Sequence, residues 1–261
     1  MAEFVDCNGI RMAYRLDGPD DAPVVVFSNS LMCNFDMWQS QVDALATRFR
    51  VLRYDLRGQG RTEATPGPYA IDQFADDIYV LAKYLGILQV QFVGLSFGGL
   101  IGQQLALAYP DFVKSLTLCD TGSRFPPREI WNERIDIASS QGMSGLVEPT
   151  LARWFPNPPP GNSDAILGAV RRMIADTPAD GFIDCCRTLR DTDLSDRLED
   201  VDVPTLVIYG SEDPVADLTR DVHRKLPISR CIEIDGAGHL SNIDRDAAFN
   251  AALADHLEMH A

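Results

Sequence analysis

Histidine is scarce in this chain, with four in 261 residues, and no apolar run approaches the roughly 20 residues that span a bilayer. The second absence excludes a membrane-spanning helix. The opening stretch MAEFVDCNGIRMAYRL has acids early and no unbroken apolar core, so no signal peptide is read there. Positive charge is also short: 23 Lys and Arg stand against 38 Asp and Glu, a net charge of −15. Binding phosphate backbones needs the opposite balance, which argues against a nucleic-acid partner. An anionic small molecule would need a local cationic pocket set against that overall field. The six cysteines (Cys7, Cys33, Cys119, Cys185, Cys186 and Cys231) show no CxxC spacing. They read as small core hydrophobes of a reducing compartment, not as a disulfide framework, and a cytoplasmic protein is the expectation.

The length suffices for one large core with a modest insertion, and 46% apolar with 23% charged residues is ordinary for a globular chain. Asn8-Gly9 between alternating segments predicts a tight hairpin. Short apolar runs then recur at Val24–Phe27, Val51–Tyr54, Val90–Val93, Leu116–Cys119 and Thr205–Tyr209. Helical spacing at Ile71–Leu85 and Gly99–Ala108 separates several of them, which predicts βαβ units and a mostly parallel sheet. The alternation stops between about Gly122 and Asp200, where two of the three tryptophans and the cluster Pro156-Asn157-Pro158-Pro159-Pro160 fall. The expected organisation is a core of residues 1–121 and 200–261, with 122–199 as a helical cap over the strand ends. Asp246 to Met259 reads as a closing amphipathic helix. There are no internal repeats.

Gln91 to Leu100 carries a strand into a helix through Gly94-Leu95-Ser96-Phe97-Gly98, the G-x-S-x-G pattern of a nucleophile on a sharp turn. Flanking glycines suit a turn too tight for a Cβ, and the helix N-terminus favours developing negative charge. A serine needs a base, itself oriented by an acid. His223 falls in a helical, charged stretch and His256 and His260 lie on the terminal helix, and all three read as solvated surface. The last pair is spaced i, i+4 but is not HExxH, and no third metal ligand is evident. His239, in the loop Asp235-Gly236-Ala237-Gly238-His239, remains as the base. The acid should follow a strand before it. Asp213, leaving Tyr209-Gly210-Ser211-Glu212, is favoured over its neighbour Glu212 and also over Asp120, the competitor that leaves the preceding strand. Main-chain donors for an oxyanion are expected from Phe97 and from Leu31, in the loop Ser28-Asn29-Ser30-Leu31-Met32.

With these residues in view, the sequence resembles the 3-oxoadipate enol-lactonases of the α/β-hydrolase superfamily over nearly its whole length. The more specific parts are Ser28-Asn29-Ser30-Leu31, Arg53-Tyr54-Asp55-Leu56-Arg57-Gly58, Gly67-Pro68-Tyr69, Gly94-Leu95-Ser96, Trp131-Asn132-Glu133-Arg134, Arg153-Trp154-Phe155 and His239-Leu240-Ser241-Asn242-Ile243. The resemblance implies an eight-stranded, mostly parallel sheet flanked by helices. It also implies hydrolysis of a small lactone bearing a carboxylate: Ser96 opens the ring to an acyl-enzyme, the enol becomes a ketone, and water activated by His239 releases 3-oxoadipate. Three positions depart from the family pattern: Met32 where glycine is usual, Gln59 in the turn usually Gly-His-Gly, and Asp120 where a neutral residue is usual.

Trp131 and Arg134, spaced i, i+3, would share a helix face and could offer a wall and a forked cation to a flat acid. The alternative is a core tryptophan and a surface ion pair of Arg134 with Glu129 or Glu133. Trp154 is the third candidate for the substrate pocket, with packing as its alternative. Asp191-Thr192-Asp193-Leu194-Ser195-Asp196 lacks the glycine and closing glutamate of a calcium loop. Gly98-Gly99-Leu100-Ile101-Gly102 lacks nucleotide-loop spacing. No cofactor or metal is therefore expected, the partner is a small ester or lactone, and a homo-oligomer is compatible with the composition. Two other classes stay open: a different hydrolase chemistry on the same fold (general esterase, carbon–carbon bond hydrolase or perhydrolase), and a hydrolase-fold lactone receptor. A Ser at 96 disfavours enzymes that use an aspartate nucleophile.

Overall fold

Asn8 (φ 47°) and Gly9 (φ 75°) both take left-handed backbone, as a two-residue Asn-Gly hairpin requires. In the computed structural model, which describes residues 1–161 and 163–261, this turn joins antiparallel β1 (Glu3–Cys7) and β2 (Ile10–Asp17). Six more strands follow: β3 (Val24–Ser28), β4 (Arg50–Tyr54), β5 (Val90–Leu95), β6 (Val113–Cys119), β7 (Thr205–Gly210) and β8 (Ser229–Ile234). They form one eight-stranded sheet in the order β1-β2-β4-β3-β5-β6-β7-β8. Strand β2 is antiparallel to β4, and all pairings from β4 to β8 are parallel. The apolar runs Val25–Phe27 and Phe92–Val93 are wholly buried because both sheet faces are covered.

The helices are α1 (Gln39–Leu45), α2 (Ile71–Tyr84), α3 (Phe97–Ala108), α4 (Arg128–Gln141), α5 (Ser144–Trp154), α6 (Ser163–Ala175), α7 (Ala179–Asp191), α8 (Ala216–Lys225), α9 (Ser241–Asp244) and α10 (Asp246–Met259). Helices α3, α8 and α10 lie against the sheet. Where the strand pattern stops, the chain forms α4 to α7, which pack on one another between β6 and β7. Among the described residues the extended structure there is the isolated bridge Arg124–Asp193. The acidic turn at 191–196 is tied into surface ion pairs, Asp191 with Arg128 and Arg190, and Asp193 with Arg124.

The order of strand addition fixes where chemistry can sit. After β3 the chain adds β4 on one side, and β5 joins on the other, so β3 and β5 are neighbours whose exits diverge. Loops leaving the carboxyl ends of such a pair open a crevice at the sheet edge. Residues 29–32 leave β3 and Ser96 leaves β5.

One expectation is corrected on α10. His256 is not solvated: it is 2% exposed, on the face that also buries Phe249, Leu253 and Leu257 against the sheet. Its ring lies 4.8 Å from that of His260, which is half-buried, as is His223, bonded to the Ser229 hydroxyl. The helix is apolar at i, i+4, i+8, and the next turn draws His256 in with it. Burial, with the His260 and Arg230 charges nearby, pushes the His256 pKa down to about 4. The folded chain keeps this imidazole neutral while the unfolded chain protonates it. Its contribution is therefore present above the unfolded value, near 6.5, and is lost as pH falls towards 4. His256→Leu is expected to gain stability at pH 5 over pH 7.5, relative to wild type. The gain is about 1 kcal/mol, the full linkage value of about 2 kcal/mol being reduced by screening near the helix end. Urea melts at the two pH values test this, and an equal effect at both would remove His256 as the acid-sensitive group.

Candidate active site

The turn after β5 is built by steric necessity. Ser96 takes φ 56° and ψ −112°, a left-handed conformation costing of order 1–3 kcal/mol for a residue with a Cβ. Its neighbours hold it there: Ser96 N–H donates to Cys119 O at 2.8 Å, and Ser96 O accepts from Gly99 N, Leu100 N and Thr121 Oγ1. A Cβ on Gly94 would meet Gly98 O at 2.2 Å, and one on Gly98 would meet Ser28 O at 2.2 Å. Those two glycines let β3, β5 and α3 approach closely enough to present the Ser96 hydroxyl.

His239 Nε2 lies 2.9 Å from Ser96 Oγ, and His239 Nδ1 lies 2.8 Å from Asp213 Oδ1. A carboxylate offers acceptors only, so Nδ1–H donates to Asp213 and the Nε2 lone pair faces the Ser96 hydroxyl. Asp213 Oδ1 also accepts from Val215 N–H, which fixes the carboxyl rotamer. The histidine loop is held at both edges: Gly238 N–H donates to Asp244 Oδ2 at 2.7 Å, and His239 N–H donates to Trp154 O, at the end of α5, at 2.9 Å. Glu212 is exposed, and neither it nor Asp120 makes a hydrogen bond to His239. Of the acids weighed from sequence, Asp213 is the one brought to the imidazole.

Above Ser96, Leu31 N–H and Phe97 N–H take part in no hydrogen bond among the described residues, whereas Gly98 N–H is taken by Asn29 O. The loop carrying Leu31 is braced from below. Met32, at φ 64° and fully buried, gives its N–H to Gln59 Oε1 at 2.7 Å. Two of the three departures from the family pattern thus act as a pair, Gln59 holding the left-handed Met32. The motif Arg53–Gly58 is scaffolding: Arg57 pairs with Asp77 at 2.6 Å in the core, and Asp55 accepts from Phe35 N–H and Arg61 N–H.

Ser96 and His239 open into a tight cleft with a cavity volume of about 40 Å³, walled by Leu31, Met32, Trp131, Arg134, Arg153 and Trp154. Trp131 is anchored by its Nε1–H to Phe125 O at 2.6 Å, and the Arg134 guanidinium lies 5.8 Å from the Trp131 ring. Arg134 does not pair with Glu129 or Glu133, as its surface alternative required. Nη2 reaches the Thr150 hydroxyl at 3.2 Å and Met32 Sδ at 4.0 Å, while buried Nε has no partner. No carboxylate is paired with Arg134 among the described residues, and burial presses against its charged form. Trp154 is buried, its ring tilted 31° against the His239 ring at 5.6 Å.

Five lining groups were given no role from sequence: Ser30, whose buried hydroxyl has no partner, Arg153 at the open side, Phe125, Leu189 and Val215. Ser30 and Arg153 fall inside quoted motifs, Ser28-Asn29-Ser30-Leu31 and Arg153-Trp154-Phe155, but nothing in their spacing says which side chains meet the cleft. Among the described residues, no group of three or more His, Cys, Asp or Glu side chains is arranged to hold a metal ion, and no helix is long and apolar enough to cross a membrane.

Residues 23–246 match the alpha/beta hydrolase fold family. The chain is 32% identical over 248 residues to 3-oxoadipate enol-lactonase 2 of Acinetobacter baylyi, covering 94% of this chain and 92% of that protein. The crystal structure of the enol-lactonase from Burkholderia xenovorans aligns with a TM-score of 0.93 at 35% identity, covering 98% of this chain and 100% of that one. A putative carbamate hydrolase, RutD, of Rhizobium rhizogenes is 29% identical over 248 residues, covering 91% and 93% of the two chains.

Proposed function

The chain belongs to the alpha/beta hydrolase fold family and, within it, to the group of the 3-oxoadipate enol-lactonases, and on that premise we propose that it hydrolyses a small lactone carrying a carboxylate through an acyl-enzyme on Ser96. The observation that carries the reading is the unbroken chain Ser96–His239–Asp213 at the foot of a cleft whose buried guanidinium, Arg134, has no carboxylate partner. Ser96 Oγ attacks the ring carbonyl while His239 Nε2 takes its proton. Asp213 holds Nδ1–H and stabilises the imidazolium. The developing oxyanion is received by Leu31 and Phe97 N–H, donors with no competing acceptor to give up. His239 returns the proton to the leaving ring oxygen, which departs as an enol and ketonises, and a water activated by His239 then frees the acid. In this reading 3-oxoadipate enol-lactone is the leading substrate. Arg134 holds its carboxylate, and Trp131 and Trp154 sandwich the ring.

Arg134 provides the test. Arg134→Met keeps the aliphatic volume and removes the fork. It is expected to lower kcat/KM for an anionic enol-lactone by about 10²-fold, mostly through KM. A neutral lactone or aryl ester of similar size should change by less than about threefold, the size of an ordinary packing adjustment. Equal losses on both substrates would refute the carboxylate clamp. Carbamate cleavage is the second reading, carried by the likeness to the putative carbamate hydrolase, so the same steady-state panel includes a small carbamate. Faster turnover of that compound than of any lactone would replace the first reading, and the absence of turnover on every compound would favour a receptor.

A further inference from the structure

Asp120 is a buried ionisable group that the chemistry above does not use. It follows β6 at φ 47°, is wholly inaccessible to solvent, and has no Lys or Arg paired with it among the described residues. Its carboxyl ties together the exits of three segments. Oδ1 accepts from Gly210 N–H, at the end of β7, at 2.9 Å, and Oδ2 lies 2.5 Å from the hydroxyl of Ser241, two residues beyond His239. It is also within hydrogen-bonding reach of the Asp213 carboxyl. Asp213 Oδ1 is committed to His239 Nδ1–H and Val215 N–H, but Asp213 Oδ2 is buried and receives no N–H or O–H donor from any other group.

Two carboxyl groups in contact and shielded from water do not both ionise, because repulsion and desolvation both disfavour the second charge. One proton is therefore shared between them. Asp213 faces the imidazole, which stabilises a negative carboxylate there, so the proton belongs on Asp120. Burial, then the Asp213 charge, raise the Asp120 pKa well above the usual carboxylate range, with the Ser241 and Gly210 donors opposing. Among the described residues the Cys119 thiol also feels the Asp120 charge, and burial keeps it protonated.

We propose that Asp120 is a positioning residue that acts as a neutral carboxylic acid, giving its proton to the free Oδ2 of Asp213 while its oxygens hold Gly210 and Ser241. It thereby fixes the Asp213 rotamer and the height of the His239 loop together. This rests on the reading of Ser96, His239 and Asp213 as the working triad. Asparagine can do the same job, since its carbonyl accepts from Gly210 and its amide donates to Asp213 Oδ2.

The test compares Asp120→Asn with Asp120→Ala in kcat, KM and pH profile on any ester the enzyme turns over, alongside the infrared spectrum of the wild type. Asp120→Ala is expected to lose about 10–100-fold in kcat with KM nearly unchanged. Asp120→Asn should restore most of that loss. The wild type should lose activity at alkaline pH as Asp120 gives up its proton and a second anion appears beside Asp213, and Asp120→Asn should lack that limb. The wild type at pH 7 should also show the carbonyl stretch of a protonated carboxylic acid that is missing in Asp120→Asn. An Asp120→Asn variant as damaged as Asp120→Ala, or an unchanged Asp120→Ala, would overturn the proposal. So would the absence of the infrared band, which is decisive even if Asp120→Ala does not fold. Loss of the triad reading itself would show as undiminished turnover in Ser96→Ala, leaving the infrared result untouched.

Discussion

Ser96→Ala is expected to lower kcat on a hydrolysable lactone or aryl ester by about 10⁶-fold, with His239→Ala about as damaging and the double variant no worse than either. The hydroxyl and imidazole work as one unit at 2.9 Å, so removing one leaves the other nothing to do. What survives is water attack assisted by Leu31 and Phe97 N–H, worth about 10³–10⁴ over the uncatalysed rate. Substrate binding should persist, because Arg134, Trp131 and Trp154 are untouched, and Ser96→Ala should bind the intact lactone in a titration. The elbow constrains interpretation, since alanine at φ 56° keeps the strain of the serine, so a melting temperature near wild type is part of the expected result. Residual kcat above about one per cent of wild type would mean that another group attacks the carbonyl.

The second large effect concerns the acid. Asp213→Ala is expected to reduce kcat by about 10⁴-fold. It removes the acceptor that selects the Nδ1–H tautomer, and it leaves a buried imidazole with nothing to stabilise its charged form. Asp120, although buried behind it, makes no hydrogen bond to His239 and cannot take over without moving the end of β6. The measurement is kcat for Asp213→Ala beside Asp120→Asn. A large loss in the second with little in the first would reverse the assignment of the acid.

The parallel sheet, the elbow and the histidine were legible because each leaves a local signature. Buried parallel strands are short apolar runs, a tight strand-to-helix turn needs its glycines, and four histidines leave few candidates for a base. Strand position favoured Asp213 over Asp120, but both acids leave a strand in the right stretch, and the contact with His239 is visible only in three dimensions. Arg134 was recognised as a cation on the same helix face as Trp131, but its lack of an acidic partner is a fact about α5 and α7, which the spacing in α4 does not contain. His256 misled because a histidine on a terminal helix usually faces water, and rotation about the helix axis decides whether an imidazole meets water or the sheet. The link between Gln59 and Met32 joins residues from two distant loops. Sequence marked both as unusual without showing that each accounts for the other.

The hydrogen bond from His239 N–H to Trp154 O has a consequence for how this architecture can diversify. Gly238 admits the α5 chain so closely that a Cβ would stand 2.1 Å from the same carbonyl, which makes the contact a seam between insertion and sheet and not a loose apposition. Transplanting a foreign helical segment between β6 and β7 would leave the His239 amide without its acceptor unless the graft ends α5 at the same height. Wholesale recombination is therefore a poor route to new specificity here. Single exchanges on α4, at Trp131 or Arg134, can retune the cleft while the seam stays closed.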